Sequence, residues 1–195
     1  MVMLNDRTSL LTHLATRRSG KPRDLVAPGP DMAQLREMVA MAARTPDHGK
    51  LAPWRFVIVP DDRREALETL IVNAYRAEKP TAGRLEIEAM QQFARQAPAL
   101  IVALSSPRPG HIPLWEQELS AGAAMMNLLH AAHAMGFAAG WLTGWAAYNA
   151  TVRDAFGSGD ERIVGFLFIG TPGRALDERP RPELDKVVSI WPGHA

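Results

Sequence analysis

The 195-residue sequence contains no cysteine. That absence removes disulfides, thiolate nucleophiles, Cys-ligated metals and iron–sulfur clusters. The chain also lacks an excess of charge of either sign. Its 22 Lys and Arg stand against 21 Asp and Glu, a formal net charge of +1, too little to steer nucleic acid or an anionic membrane. Any affinity for phosphate must therefore be local. A membrane-length apolar run is missing too. The most hydrophobic long stretch, 114–137, carries Glu116, Glu118, His130 and His133, too many polar groups for an easy span. Met1-Val2-Met3-Leu4-Asn5-Asp6-Arg7 has no continuous apolar centre, so no secretory signal is expected and a cytoplasmic location is. There is no G-x-G-x-x-G loop, P-loop, H-E-x-x-H or G-x-S-x-G motif. The six histidines (13, 48, 111, 130, 133 and 194) show no metal-ligand spacing. His130 and His133, three apart, read as interface or core-edge residues.

What remains is an ordinary globular composition, 47% apolar and 22% charged. No repeat, low-complexity run or linker divides the chain, so residues 1–195 are expected to form one domain. Apolar periodicity predicts a helix from Arg7 to about Arg17, with Leu10, Leu11 and Leu14 at helical spacing. Asp31 caps a second helix, with Leu35, Met38, Val39 and Ala42 on one face, and Pro46 ends it. Strands are expected at Trp54–Val59, Pro98–Leu104, Ala138–Thr143 and Ile163–Ile169, and further helices after Pro60, over Arg84–Arg95 and over Trp115–Met135. The tail from Pro172 should be largely extended. The pattern is α+β, with helices around a small sheet. The longest helix is apolar nearly all round, with small residues Ser120 to Ala124 in its first half, so it belongs in a core or a subunit interface.

Three segments could carry chemistry. Arg17-Arg18-Ser19-Gly20-Lys21-Pro22-Arg23 places four cations in seven residues, and guanidinium groups hold phosphate through paired charge-assisted hydrogen bonds. The same run also reads as a solvated helix end favoured by the helix dipole. Arg44-Thr45-Pro46-Asp47-His48-Gly49-Lys50-Leu51-Ala52-Pro53-Trp54 is a loop stiffened by two prolines and suited to a flat, anionic ligand. Read blandly, Asp47 pairs with a nearby base and His48 lies on the surface. Gly140-Trp141-Leu142-Thr143-Gly144-Trp145 allows close backbone approach, either by a ring system or within a tight core strand.

In this order the segments resemble the nitroreductase family. Arg17-Arg18-Ser19 is similar to its R-R-S motif, and Pro46 through Pro53-Trp54 to its P-W loop. Gly140-Trp141-Leu142-Thr143 matches its flavin-contacting strand, and Gly165-Phe166-Leu167-Phe168-Ile169-Gly170-Thr171-Pro172 its closing strand. Pro46-Asp47-His48 and Trp115-Glu116-Gln117-Glu118 resemble the short bacterial NAD(P)H nitroreductase subgroup.

The resemblance implies a nitroreductase-like α+β fold, a mostly antiparallel central sheet flanked by helices, in an intertwined homodimer with FMN at the subunit interface. It implies Arg17, Arg18 and Ser19 at the ribityl phosphate, and Arg44 and His48 on the flavin, His48 from the other subunit. Trp141, Leu142 and Thr143 would line the ring, and Ala131 matches a nicotinamide-nucleotide position. Two departures stand out. Lys50 and Ala52 occupy positions where the family often has Asn and Gln, and Lys50 would substitute a cation for an amide near the flavin N1–C2 edge. The C-terminal phosphate-binding base could be Arg174, Arg179 or Arg181. The implied reaction is ping-pong hydride transfer through flavin N5 from NADH or NADPH to a nitroaromatic, quinone or related acceptor, with no obligate catalytic acid or base. Alternatives on the same scaffold are reductive dehalogenation, flavin fragmentation, or a flavin-binding dimer for storage or sensing. No metal, nucleic acid or membrane partner is expected.

Overall fold

In a computed structural model of the chain, residues 3–192 are described; Met1, Val2 and His194 lie outside them. Ser9 is extended, and its side chain accepts from the Thr12 N–H to start α1 (Leu10–Thr16). After a two-residue strand β1 (Leu25–Val26), Asp31 and Gln34 form a reciprocal capping box at α2 (Met32–Ala42). Strand β2 (Trp54–Val59) follows, then α3 (Arg64–Glu78), α4 (Arg84–Arg95), β3 (Ala99–Ser105) and α5 (Leu114–Ala134). The chain ends through β4 (Ala138–Leu142), α6 (Gly144–Tyr148), α7 (Ala150–Phe156), β5 (Arg162–Pro172) and an exposed tail.

The strands make one antiparallel sheet in the order β1-β5-β3-β2, with β4 pairing β5 on the side away from β3. Every residue of β3 is buried, as an apolar run needs when both faces are covered. Its alternation divides the core. Ile101 and Ala103 pack under α2 and α5 with Met38, Met125 and Leu128. Leu100, Val102 and Leu104 pack under α3, α4, α6 and α7 with Ile71, Ala94, Val152, Phe166 and Phe168. The expected α+β architecture is therefore present as helix, sheet and helix layers.

Two expectations about faces change. Leu10, Leu11 and Leu14 of α1 are exposed, and the residue that helix buries is His13. On α5 the inner face is covered, but Leu114, Trp115 and Leu119 stay exposed at its start. Among the described residues, no helix is long and apolar enough to cross a membrane.

Candidate functional site

The R-R-S segment leaves α1 and crosses the free edge of β4. The Gly20 N–H donates to the Ala139 carbonyl at 3.0 Å. The crossing is tight: a Cβ on Gly140 would lie 2.5 Å from the Gly20 carbonyl oxygen and 2.9 Å from the Pro22 ring. The close approach anticipated at Gly140 is thus made by the protein's own backbone. Strand alternation then fixes the next step. The Ala139 carbonyl points outward, so the Trp141 N–H and C=O two residues on point the same way, past the Gly20 crossing. The Trp141 indole is occupied elsewhere. It lies over Gly165 and donates to the Val164 carbonyl at 3.1 Å, leaving the Trp141 peptide as the available group. Leu142 packs into the core, and half-buried Thr143 precedes α6.

The structure sorts the basic cluster. Arg18 donates Nε to the Asp177 carbonyl at 2.6 Å and stands 3.5 Å from Glu178, while Lys21 pairs with Asp177 at 2.8 Å. Both are straps for the tail. Arg17 instead reaches Ser19, donating from Nη1 to Oγ at 3.3 Å. Burial, and then the charges of Arg181, Arg18 and Arg179, hold the Arg17 guanidinium below its ordinary value, with Glu178 opposing them. Arg181 also donates Nη2 to the Arg17 carbonyl at 3.2 Å. Arg174 lies 3.9 Å from Asp24 instead. Of the three candidate C-terminal bases, Arg179 and Arg181 therefore act on Arg17, while Arg174 lines a small cleft with Arg18, Ser19 and Lys21. A serine hydroxyl among several arginines and one glutamate is a donor set short of negative charge, which suits a phosphate monoester.

The P-W loop is assembled at the other end of α5. Trp54 Nε1 donates to Ser120 Oγ at 3.2 Å, Ser120 Oγ donates to the Pro46 carbonyl at 3.1 Å, and Asn127 donates to Thr45 Oγ1 at 2.7 Å. Inside the loop, Gly49, Lys50 and Ala52 all have positive φ (80°, 56° and 46°), and the Asp47 carboxylate accepts the Ala52 N–H at 2.9 Å. This holds a backbone that Lys and Ala seldom adopt. Arg44, His48 and Lys50 are exposed, and His48 Nδ1 pairs with Glu116 Oε2 at 2.8 Å. Sequence reasoning missed the anchors Ser120, Asn127 and Glu116, though their spacing along α5 carried the signal.

Ala131, the expected nicotinamide-nucleotide position, is 4% exposed on α5 and belongs to the core cluster shared with α2 and the sheet.

Beneath Arg17 lies a cluster of three imidazoles. His13 Nε2 and His130 Nδ1 are hydrogen-bonded at 2.8 Å, and the His133 ring stands edge-on to His13 with centroids 5.8 Å apart. Burial, and then Arg17, lower the His13 pKa; burial, His13 and Arg17 lower that of His130. His133 is pushed down to about 3, chiefly by burial. The Ala139 carbonyl opposes this, but neither His133 nitrogen completes a hydrogen bond. Among the described residues no cluster has the geometry of a metal site.

The Nitroreductase family profile matches residues 14–171. A Haemophilus influenzae protein named "Putative NAD(P)H nitroreductase" is 37% identical over 164 residues, 83% of this chain and 87% of its own length. The Escherichia coli K12 protein of the same name, YdjA, is 34% identical over 161 residues, 82% of this chain and 86% of its own. Among solved structures, a nitroreductase-like protein from Bacillus cereus superposes with TM-score 0.78 at 23% identity, covering 98% of this chain and 100% of its own. The FMN and NADPH-dependent nitroreductase NfnB of sphigopyxis sp. strain HMH gives TM-score 0.72 at 22% identity, covering 93% of this chain and 97% of its own. With this fold, and with a family profile spanning most of the sequence, the chain belongs to the Nitroreductase family.

Proposed function

We propose that the protein is an FMN-dependent oxidoreductase that takes electrons from NADH or NADPH and passes them to nitroaromatic, quinone or related acceptors, working as a homodimer. The observation that carries this reading is the hydrogen-bonded Arg17–Ser19 pair beside the outward-facing Trp141 peptide. The pair offers guanidinium and hydroxyl donors to one terminal phosphate, and the peptide offers a donor and an acceptor to a ring edge. A dinucleotide would need a second phosphate cradle, and the sequence has no such loop. The named relatives add the nicotinamide donor. Bound here, FMN would supply hydride exchange at N5, alternating between donor and acceptor in ping-pong turnover. The residues' part is to hold and orient. Arg17 and Ser19 fix the phosphate, Arg179 and Arg181 reinforce its field, and the Trp141 peptide sets the ring edge.

Reach supports the homodimer. His130 marks the Arg17 end of α5 and Glu116 marks the His48 end, separated by about 21 Å at 1.5 Å per residue. That exceeds the separation between the phosphate and pyrimidine edge of one flavin. His48, and Lys50 beside it, therefore meet a flavin held on Arg17 only when a second copy supplies them, whereas Arg44 follows Thr45's bond to Asn127, nearer the Arg17 end. Exposed Leu10, Leu11, Leu14, Trp115 and Leu119 give such a copy apolar surface to cover.

The test is flavin binding by the purified protein. We expect bound FMN, bleaching by anaerobic NADPH or NADH, and twice the chain mass by light scattering. Arg17→Ala should weaken FMN binding by about 1.5–3 kcal/mol, the scale of a charge-assisted hydrogen bond, and leave riboflavin nearly unchanged. A protein that cannot be reconstituted with FMN overturns the reading. FMN bound but not reduced by either nucleotide leaves a storage dimer instead.

A further inference from the structure

We propose that the His13–His130 pair is the proton-accepting inner wall of the anion site, so that a phosphate group held on Arg17 and Ser19 binds together with one proton that enters this pair. This rests on the reading of Arg17 as the phosphate anchor.

The geometry carries it. His13 lies one helical turn before Arg17 on α1 and is 6% exposed. Its Nε2 meets His130 Nδ1 at 2.8 Å, a distance that requires one shared proton between the two rings. His13 Nδ1 and both nitrogens of His133 are buried without partners. The charged and titratable groups facing the pair can be named element by element. Arg17 is on α1. Arg7, just before that helix, donates Nη1 to the Ala134 carbonyl at 3.4 Å. From α5 come His130 and His133, and β4 contributes no ionisable side chain. From the tail, Arg179, Arg181 and Glu178 act on Arg17. Among the described residues no carboxylate contacts the imidazoles.

A cluster of neutral rings against unneutralised arginine resists a second proton, because the cation opposes it. A phosphate dianion on Arg17 offsets that charge, so the rings gain proton affinity when the anion arrives. By reciprocity, protonation tightens the anion. The proton comes from solvent and forms one N–H bond. His130 is half-buried where His13 is buried, so its Nε2 is the entry point. His133 stays neutral throughout. In the free protein the pair holds a second proton less readily than an ordinary imidazole, and its proton affinity is higher in the bound one. Its contribution to phosphate affinity therefore grows as pH falls through that interval and vanishes above it. Protonation of the phosphate itself has the opposite sign, so the difference between wild type and variant isolates the pair.

The experiment is calorimetric titration of the flavin-free full-length protein with FMN and with riboflavin, in buffers of different protonation enthalpy, from about pH 8 to about pH 6. His130→Asn keeps an acceptor or donor where Nδ1 stands, and His13→Gln does the same for the other ring. Wild type should take up a fraction of a proton more per FMN than either variant near the acid end. Its FMN affinity relative to the variants should rise several-fold over the range. Riboflavin should show neither effect. Equal proton counts in wild type and a folded variant that binds FMN overturn the proposal. A proton difference that persists with riboflavin also overturns it, by placing the uptake away from the phosphate. Failure of the wild type to bind FMN removes the flavin reading itself.

Discussion

Trp54 and Ser120 tie β2 to α5: the indole Nε1 donates to the serine hydroxyl at 3.2 Å, and that hydroxyl donates to the Pro46 carbonyl at 3.1 Å. One buried oxygen thus locks the start and the end of the P-W loop to the same helical turn. Ser120→Ala should lower stability by about 1–3 kcal/mol, since it leaves an indole N–H and a carbonyl unsatisfied. Urea unfolding measures this. In the proposed dimer, flavin held by Arg17 should also be bound less tightly, because the loop that the partner would contribute loses its anchor. Unchanged stability and unchanged flavin affinity together would mean that the two prolines alone fix the loop.

Glu161 accepts from Arg55 through Nε at 2.7 Å and Nη2 at 3.0 Å, and from the Ser158 N–H at 2.9 Å. The Arg55 hydrogen bond leads in drawing its pKa down from 4.5 to about 2. A carboxyl lowered on folding contributes stability that is complete above its unfolded value. That stability is lost as pH falls through the folded one. Wild-type stability should therefore decline between about pH 5 and pH 2. In Glu161→Gln this portion of the decline should be absent. At neutral pH the variant should be less stable by about 1–3 kcal/mol, since half-exposed Arg55 retains some hydration. An acid profile identical in both proteins would place the pH sensitivity elsewhere.

Much of the fold was legible because each layer writes its period into the sequence. The β3 run Ala99–Ser105 is apolar at every position but the last, which marks a strand covered on both faces, and α4 begins and ends at the expected Arg84 and Arg95. The two-residue β1 and the short helices α6 and α7 were not legible. β1 is set by pairing with Thr171 and Pro172, and Gly144–Tyr148 is too short to show a period. The site divides similarly. The R-R-S and P-W motifs are local and could be read. The contacts that sort them are not local: Arg18 reaches a carbonyl 159 residues away, Arg181 reaches across 164, and His13 meets His130 across 117. No spacing rule reports such pairs. The burial of Ala131 was not legible for a related reason, since position in a helix does not reveal which face the sheet covers.

Two glycines make opposite predictions. A methyl at Gly140 meets the Gly20 carbonyl oxygen at 2.5 Å, and main chain on both sides must move. Gly140→Ala should cost about 1–3 kcal/mol and displace the R-R-S crossing, so FMN affinity should fall with stability. Around Gly122, on the partly uncovered side of α5, no atom lies within 4 Å of such a methyl. The position therefore accepts a Cβ, and Gly122→Leu, extending from it on this half-buried face, gains up to about 1 kcal/mol of helix propensity. If a second copy packs there, the larger side chain should shift the assembly toward monomer, read by light scattering against protein concentration. A Gly122→Leu dimer as tight as wild type would move the interface off this face.

Lys50 provides the farthest-reaching prediction. It has φ 56° and an exposed side chain, in the loop held to α5 by Ser120 and Glu116, and it stands where the family often has an amide. In the proposed dimer, the flavin it reaches is the partner's. At about 4 Å and an effective dielectric near 20, an ammonium would favour the anionic reduced ring by roughly 4 kcal/mol before solvent lowers that figure. Lys50→Met should then lower the two-electron midpoint potential of bound FMN by about 30 mV or more, since that shift corresponds to roughly 1.4 kcal/mol for such a couple. The strained φ is a cost that both side chains share, so stability should change little and the potential is the clean readout. The effect should also shrink with added salt, as an exposed charge requires. An unchanged potential, with FMN bound and the dimer intact, would show that Lys50 points into solvent and that the missing amide has no cationic replacement.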